Sequence, residues 1–274
     1  MNYVAKVAYD GSKFYGFQRL NEEPSVQKLL EDALTKINKH TVDIKGAGRT
    51  DRGVHANGQC FSFKLDVNID VEGLKDGLNS LIAPYVYIKE IKEVDENFHA
   101  RFNVLRKKYV YKINLGEYDP KLVDYVYQCK YNLDIDKMKE AAKLYLGVHN
   151  FHNFVSGERD NYDCIIYDIS FEEKDEILNI QFEGKSFYRY MVRNLVGMMI
   201  EVARGKEDIS RIEKMLETVD EIHGYTAPAC GLYLENIEYW KKINKKRKIL
   251  LILFDFYVLF SYNFNRYILF VRNC

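Results

Sequence analysis

Residues 46–56 read Gly-Ala-Gly-Arg-Thr-Asp-Arg-Gly-Val-His-Ala. One carboxylate, Asp51, stands between Arg49 and Arg52 in a stretch punctuated by Gly46, Gly48 and Gly53. Neighbouring positive charge favours an ionised carboxylate and lowers its pKa. Glycines let the backbone take positive φ and come close to a ligand. The combination predicts an acid kept charged where another molecule must reach it, which suits nucleophilic or general-base work. The plainer alternative is a turn or capping aspartate. Phosphate-binding loops fit less well. Gly46-x-Gly48 lacks the third glycine of a dinucleotide fingerprint, and no Gly-Lys-Ser/Thr follows. Nor do the residues through Asn57 and Gly58 open a helix, whose N-terminus both phosphate motifs need. A glycosidase normally needs two carboxylates flanking one bond. The motif offers one, so Asp51 reads as a lone nucleophile.

The elements that must hold this loop follow from periodicity. Tyr3 to Tyr9 alternates as a strand. Val26, Leu29, Leu30, Ala33, Leu34 and Ile37 recur at helical spacing, with Ser25 at the N-cap position. Gln59 to Leu65 alternates again, residues 70–81 read as a short helix, and Val86 to Val94 as a strand, giving β-α-β-α-β. A second series opens with a strand at Tyr109–Leu115. It continues with a helix at 136–146 capped by Gly147, and strands at 163–172 and 177–183. Helices at 188–204 and 208–218 and a strand at 231–239 close it. The two series meet near Asn103–Lys108 without a linker, so they are expected to share one sheet. The fold class is α+β. It divides into an N-terminal half (1–105) carrying the Asp loop, a C-terminal half (106–240), and a tail (241–274).

The 274 residues suffice for a large core. Apolar content of 47% and charged content of 29% are those of an ordinary globular protein. The net charge of +0 argues against a nucleic-acid partner, which usually leaves a basic footprint. Its distribution argues the other way. Arg101, Arg106, Lys107, Lys108 and Lys112 fall in a stretch without an acid, interleaved with Tyr109 and Tyr111. A solvated face explains most charge runs, but this one suits phosphates and a base together. The five scattered cysteines form no C-x-x-C, so neither zinc nor a disulfide framework is indicated and a reducing compartment fits. His149 and His152 lack partner ligands nearby in sequence.

Several segments, in order, resemble the tRNA pseudouridine synthase A (TruA) family. The 46–56 loop is similar to its active-site signature. Tyr9 to Arg19 is similar to its opening strand and loop, with Phe17 where the family usually has tryptophan, and Ser25-Val26-Gln27 resembles the start of its first helix. Phe98 to Phe102 followed by Arg106 to Tyr111 resembles the second motif, and Met191 to Gly197 the third. Ala227-Pro228-Ala229 and Gly231 to Leu234 resemble the closing motif. The resemblance runs from about Tyr3 to about Tyr239.

It implies two ferredoxin-like halves sharing a mainly antiparallel sheet with an RNA-binding cleft, the pseudouridine synthase fold. It implies a cytoplasmic homodimer that isomerises uridine to pseudouridine in the anticodon stem-loop of tRNA, at positions 38 to 40. Asp51 takes the nucleophile's place, and Arg193 that of the arginine paired with it. Tyr109 takes that of the tyrosine stacked on the target uracil, with Tyr111 as rival on the same strand face. Arg49 takes that of the arginine replacing the extruded base. His55 and Thr50 are expected to shape the loop. No metal or organic cofactor is called for, because the reaction is an isomerisation without net redox change. The motifs encode the chemistry rather than the address, so a synthase for another RNA site is the nearest alternative. A non-catalytic RNA-binding protein on the same scaffold is the next.

The tail fits no family pattern. Lys241 to Lys248 is basic, and Ile249 to Val271 is aromatic and apolar, interrupted by Asp255, Asn263, Asn265 and Arg266. Those interruptions spoil a membrane window of roughly 20 apolar residues, and no stable membrane association is expected. An extra packed segment, an interfacial anchor and a sequence extended past its natural stop stay open.

Overall fold

The computed structural model describes residues 1–219 and 224–239; the expectations for 241–274 lie outside them. In chain order the elements are β1 (Asn2–Tyr9), α1 (Val26–Asn38), β2 (Lys45–Gly46), β3 (His55–Lys64), α2 (Val71–Ile82), β4 (Val86–Val94), β5 (Val104–Asn114), β6 (Tyr127–Gln128), α3 (Ile135–Lys143), β7 (Gly147–Asn150), β8 (Asp163–Lys174), β9 (Ile177–Gly184), α4 (Met191–Ala203), α5 (Ile209–Glu217) and β10 (Leu232–Tyr239).

Strand alternation puts Tyr3, Ala5, Val7 and Tyr9 of β1 on one buried face, with Tyr109, Tyr111 and Ile113 of β5 and Leu178, Ile180 and Phe182 of β9. Against that face pack Val26, Leu30 and Leu34 of α1, Leu74 and Leu78 of α2, Met138 of α3, and most of α4. Each of these large apolar side chains contributes roughly 1.5–3 kcal/mol by leaving water. Asp70, Asp134 and Asp208 cap α2, α3 and α5 by accepting backbone N–H groups of Gly73, Lys137 and Ser210. Ser25 occupies the cap position of α1 but makes no capping bond. It is buried instead.

All ten strands form one mixed, mostly antiparallel sheet in the order β4-β1-β3-β10-β5-β9-β8-β7, with β2 on β3 and β6 on β5. The last strand is thus inserted in the middle. β10 runs parallel to β3 over Tyr233–His55 and Leu234–Ala56, and antiparallel to β5 from Val104 to Tyr111. This strand joins the two series into one sheet, and the loop carrying Asp51 (47–54) leaves the sheet beside the seam. The sequence reading missed β2, β6 and β7, each four residues or shorter, because so short a stretch carries no measurable period. It also ran α3 on to 146. That helix ends at Lys143, and Gly147, at φ +93, opens β7 instead. Among the described residues no helix is long and apolar enough to cross a membrane, and Cys60, Cys129, Cys164 and Cys230 are free thiols.

Helix α4 is nearly buried all round, and the 225–228 strip lies directly on it. A Cβ on Gly197 would stand 1.8 Å from the Tyr225 carbonyl oxygen. Backbone cannot yield as a flexible side chain can. Gly197→Ala should therefore lower stability by about 1–3 kcal/mol or more, read as a reduced urea midpoint; an unchanged midpoint would show that the strip is not seated there.

Candidate active site

The 47–54 loop is held at its stem by backbone contacts that leave little room for side chains. Ala47 donates to the Cys60 carbonyl at 2.8 Å, and the Gln59 amide donates to the Gly48 carbonyl at 3.0 Å. Phe17 packs where a Cβ on Gly46 would sit, 2.5 Å from its ring, so the aromatic at position 17 and the glycine at 46 require each other. Thr50 is buried. Its hydroxyl meets Tyr9 Oη at 2.8 Å, and its carbonyl accepts the Phe17 N–H at 3.2 Å. Val54 N–H closes the turn on the Asp51 carbonyl at 3.1 Å, with Gly53 at φ +78.

His55 fastens the far end. Its Nδ1 accepts from Gly11 N–H at 3.1 Å and its Nε2 donates to the Asp124 carbonyl at 2.8 Å. Those bonds define a neutral ring. Burial pushes its pKa down, although Asp124 and Asp10 pull the other way. The ring stacks on Tyr233 with centroids 4.6 Å apart.

The turn presents Asp51 to a cleft lined by Arg49, Thr50, Val54, Tyr109 and the run Phe187 to Val192. Arg193, from the first turn of α4, places Nη1 3.7 Å from Asp51 Oδ2, both side chains being largely buried. The arginine is itself fixed. Its Nε donates to the Ala227 carbonyl at 2.8 Å, and Ala227 N–H returns a bond to the Arg193 carbonyl at 3.0 Å. Tyr190 lines the cleft together with Asp51. Tyr190 holds the cap position of α4 at φ +61, an uncommon conformation for a side chain of that size. Asp51 and the first residues of α4 thus line the same cleft, and a helix N-terminus favours negative charge.

Asp51 is not governed by its neighbours in sequence. The expectation that Arg49 and Arg52 hold its pKa low is corrected by the geometry. Burial raises it above the usual carboxylate value, opposed by the charges of Arg193 and Arg189. Arg52 turns outward and lies over the Tyr15 ring at 4.0 Å. Arg49 is exposed at the cleft's edge.

Tyr109 and Tyr111 share a face of β5 but do different things. Tyr109 borders the cleft, meets Phe187 edge-on at 5.2 Å, and has its phenol pKa pushed up by burial, with Tyr9 and Asp51 adding to the effect. Tyr111 is fully buried and donates to the Pro228 carbonyl at 2.8 Å, which steadies the strip that holds Arg193. The sequence reading missed Phe187, Arg189 and Tyr190. A signal existed in the aromatic–basic run Phe-Tyr-Arg-Tyr at 187–190, which was instead assigned to the start of a helix. A larger cavity of about 420 Å³, lined from the stretches 114–118 and 128–133, lies elsewhere. There Asn114 and Gln128 are engaged with each other and with backbone.

Comparison with known proteins bears on this arrangement. A family model described as tRNA pseudouridine synthase matches residues 5–103 and 141–240. The tRNA pseudouridine synthase A of Finegoldia magna is 40% identical over 242 residues, spanning 87% of this chain and 99% of that one. That of Pseudothermotoga lettingae is 41% identical over 245 residues, covering 86% and 99%. That of Listeria monocytogenes is 39% identical over 244 residues, covering 86% and 98%. With the matched segments spanning both sides of the cleft, the chain belongs to the tRNA pseudouridine synthase family.

Proposed function

We propose that this chain converts uridine to pseudouridine in the anticodon stem-loop of tRNA, at positions 38 to 40, with Asp51 as nucleophile. The observation that carries the reading is the Asp51–Arg193 pair, 3.7 Å apart across a cleft bordered by Tyr109. The reaction breaks the bond from ribose C1′ to uracil N1 and forms one from C1′ to C5. The C5 proton is lost and N1 gains one. An ionised carboxylate with close access to the sugar and base is what this exchange needs, whichever atom it engages. Arg193 and Arg189 oppose the desolvation of that charge. The Tyr109 ring supplies a flat wall for the uracil, and its phenol stays protonated. Flipping a base out of a stem-loop costs a few kcal/mol, and Arg49, exposed beside the cleft, is placed to fill the vacated space.

In this reading residues 1–105 contribute Asp51 and Arg49, and residues 106–240 contribute Tyr109 and Arg193. Their apposition along the β3–β10 seam makes the site. The protein acts as a cytoplasmic homodimer, which would let a chain of zero net charge assemble a longer basic surface for tRNA.

The direct test is pseudouridine mapping on unmodified tRNA incubated with wild type and with Asp51→Ala. Wild type should modify the anticodon stem-loop, and Asp51→Ala should bind tRNA without forming product. Product at another site would change the address, whereas binding without product from wild type would leave an RNA-binding protein on the same scaffold. Tyr109→Phe should retain most activity because the ring remains, while Tyr109→Leu should lose about five- to 150-fold in kcat/KM, given that base–aromatic stacking is worth roughly 1–3 kcal/mol. Equal activity in the two would assign the stacking wall to another residue. The pH dependence follows from burial of Asp51. Because its folded pKa is raised, activity should fall on acidification through a value above that of an ordinary carboxylate. Arg193→Met removes the leading opposing charge and should move this acid limb to higher pH; a pH–rate profile with the limb unmoved would separate Arg193 from Asp51 ionisation.

A further inference from the structure

One buried cation in the molecule plays no part in the chemistry above. Lys107 lies on β5 two residues before Tyr109, on the same face of the strand. The residue is only 8% exposed. Lysine is almost never buried unless paired, and no carboxylate forms an ion pair with it among the described residues. Its hydrogen-bond acceptor there is the Ala47 carbonyl, at 3.0 Å. The ammonium reaches that carbonyl through space that Gly48 leaves open, because a Cβ on Gly48 would stand 2.8 Å from Lys107 Nζ. Burial and the nearby Arg101 push the lysine pKa down to about 8. Such a costly placement asks for a function.

The contact lies at a telling position. Ala47 and Gly48 form the ascending limb of the Asp51 loop, and Arg49 is the next residue. The limb is tied to β3 by the Ala47–Cys60 and Gln59–Gly48 bonds. Lys107 adds a tie from β5, across the seam. One strand thus carries both the wall of the cleft, Tyr109, and a strut under the loop that faces it.

We propose that Lys107 is a positioning residue: its ammonium, seated under the loop in the space Gly48 leaves, fixes the Ala47–Arg49 limb relative to Tyr109 and so sets Arg49 at the cleft. This rests on the reading of the site as one that takes in an extruded uridine. A charge-assisted bond is among the stronger single contacts, and leaving the carbonyl of Ala47, a residue 1% exposed, without its donor costs the desolvation of that group.

Two substitutions break the contact from opposite sides. Lys107→Met keeps the apolar stem and removes the charge. Gly48→Ala keeps the charge and displaces the ammonium. Since that is the far end of a flexible side chain, the fold should tolerate it, so the test survives if Lys107→Met does not fold. The first readout is hydrogen exchange of the amides in 47–53, which is independent of activity. Both variants should exchange there about tenfold faster or more, with α2 unchanged. The second is a double-mutant cycle with Arg49→Ala on kcat/KM for tRNA. Each variant should lose about tenfold alone, and less than about twofold further once Arg49 is alanine.

Unchanged exchange in the loop would overturn the proposal. So would losses that multiply in full with Arg49→Ala, since Lys107 would then act by another route. Absence of any pseudouridine from wild type would instead remove the functional reading, while the exchange measurement would still decide whether Lys107 holds the loop.

Discussion

Asp51 and Arg193 face each other 3.7 Å apart from segments more than a hundred residues distant in the chain, and much of the structure serves that meeting. Desolvation works against the charge on Asp51, and only groups brought to it by the fold work in favour. Each of those groups has its own support. Arg193 is clamped by Ala227, whose strip is steadied by the Tyr111 hydroxyl and seated against Gly197. Tyr190, which lines the cleft with Asp51, takes a left-handed backbone position at the head of α4. Such local strain persists only where packing over-determines it, and α4 is among the most completely buried elements of the chain.

The seam explains how such a pair can exist at all. Had β10 paired at an outer edge, the two series would have formed separate sheets with the loop exposed to solvent. Inserted between β3 and β5, it brings the root of the loop beside Tyr109 and Lys107. A loop that must be both accessible and rigid is then held by main-chain bonds to β3, by His55 at one end and by the buried ammonium at the other. The glycines of the 46–53 stretch serve different purposes. Gly46 admits the Phe17 ring, Gly48 admits the lysine, and Gly53 alone needs a positive φ.

A net charge of zero is no obstacle to an RNA partner when charges are segregated. Arg49, Arg52 and Arg189 are exposed on or near the cleft. On the open face of the sheet, by contrast, Arg106 and Lys108 are paired with Glu183. The local field at the cleft, and not the sum over the chain, is what a phosphate meets.

Much was legible in the sequence. Among the described residues, period-2 and period-3.6 patterns located every strand of eight residues or more and every α-helix, because burial of one face imposes those periods on the residues that form it. The ordered motifs pointed to the family, and the loop at 46–56 pointed to Asp51. Other features could not be read there. Periodicity is silent on pairing partners, so the insertion of β10 at the centre of the sheet was not visible. Short strands carry too few residues for a period. Charges adjacent in sequence gave the wrong neighbours for Asp51, since side chains on successive loop residues diverge while Arg193 and Arg189 converge from another element. Tyr109 and Tyr111 were equivalent in the linear pattern, and only packing made one a cleft wall and the other a buried strut. Sequence determined which residues could carry charge, stack or turn; tertiary structure decided which of them met, because electrostatic and packing energies depend on distance and burial that the linear order does not specify.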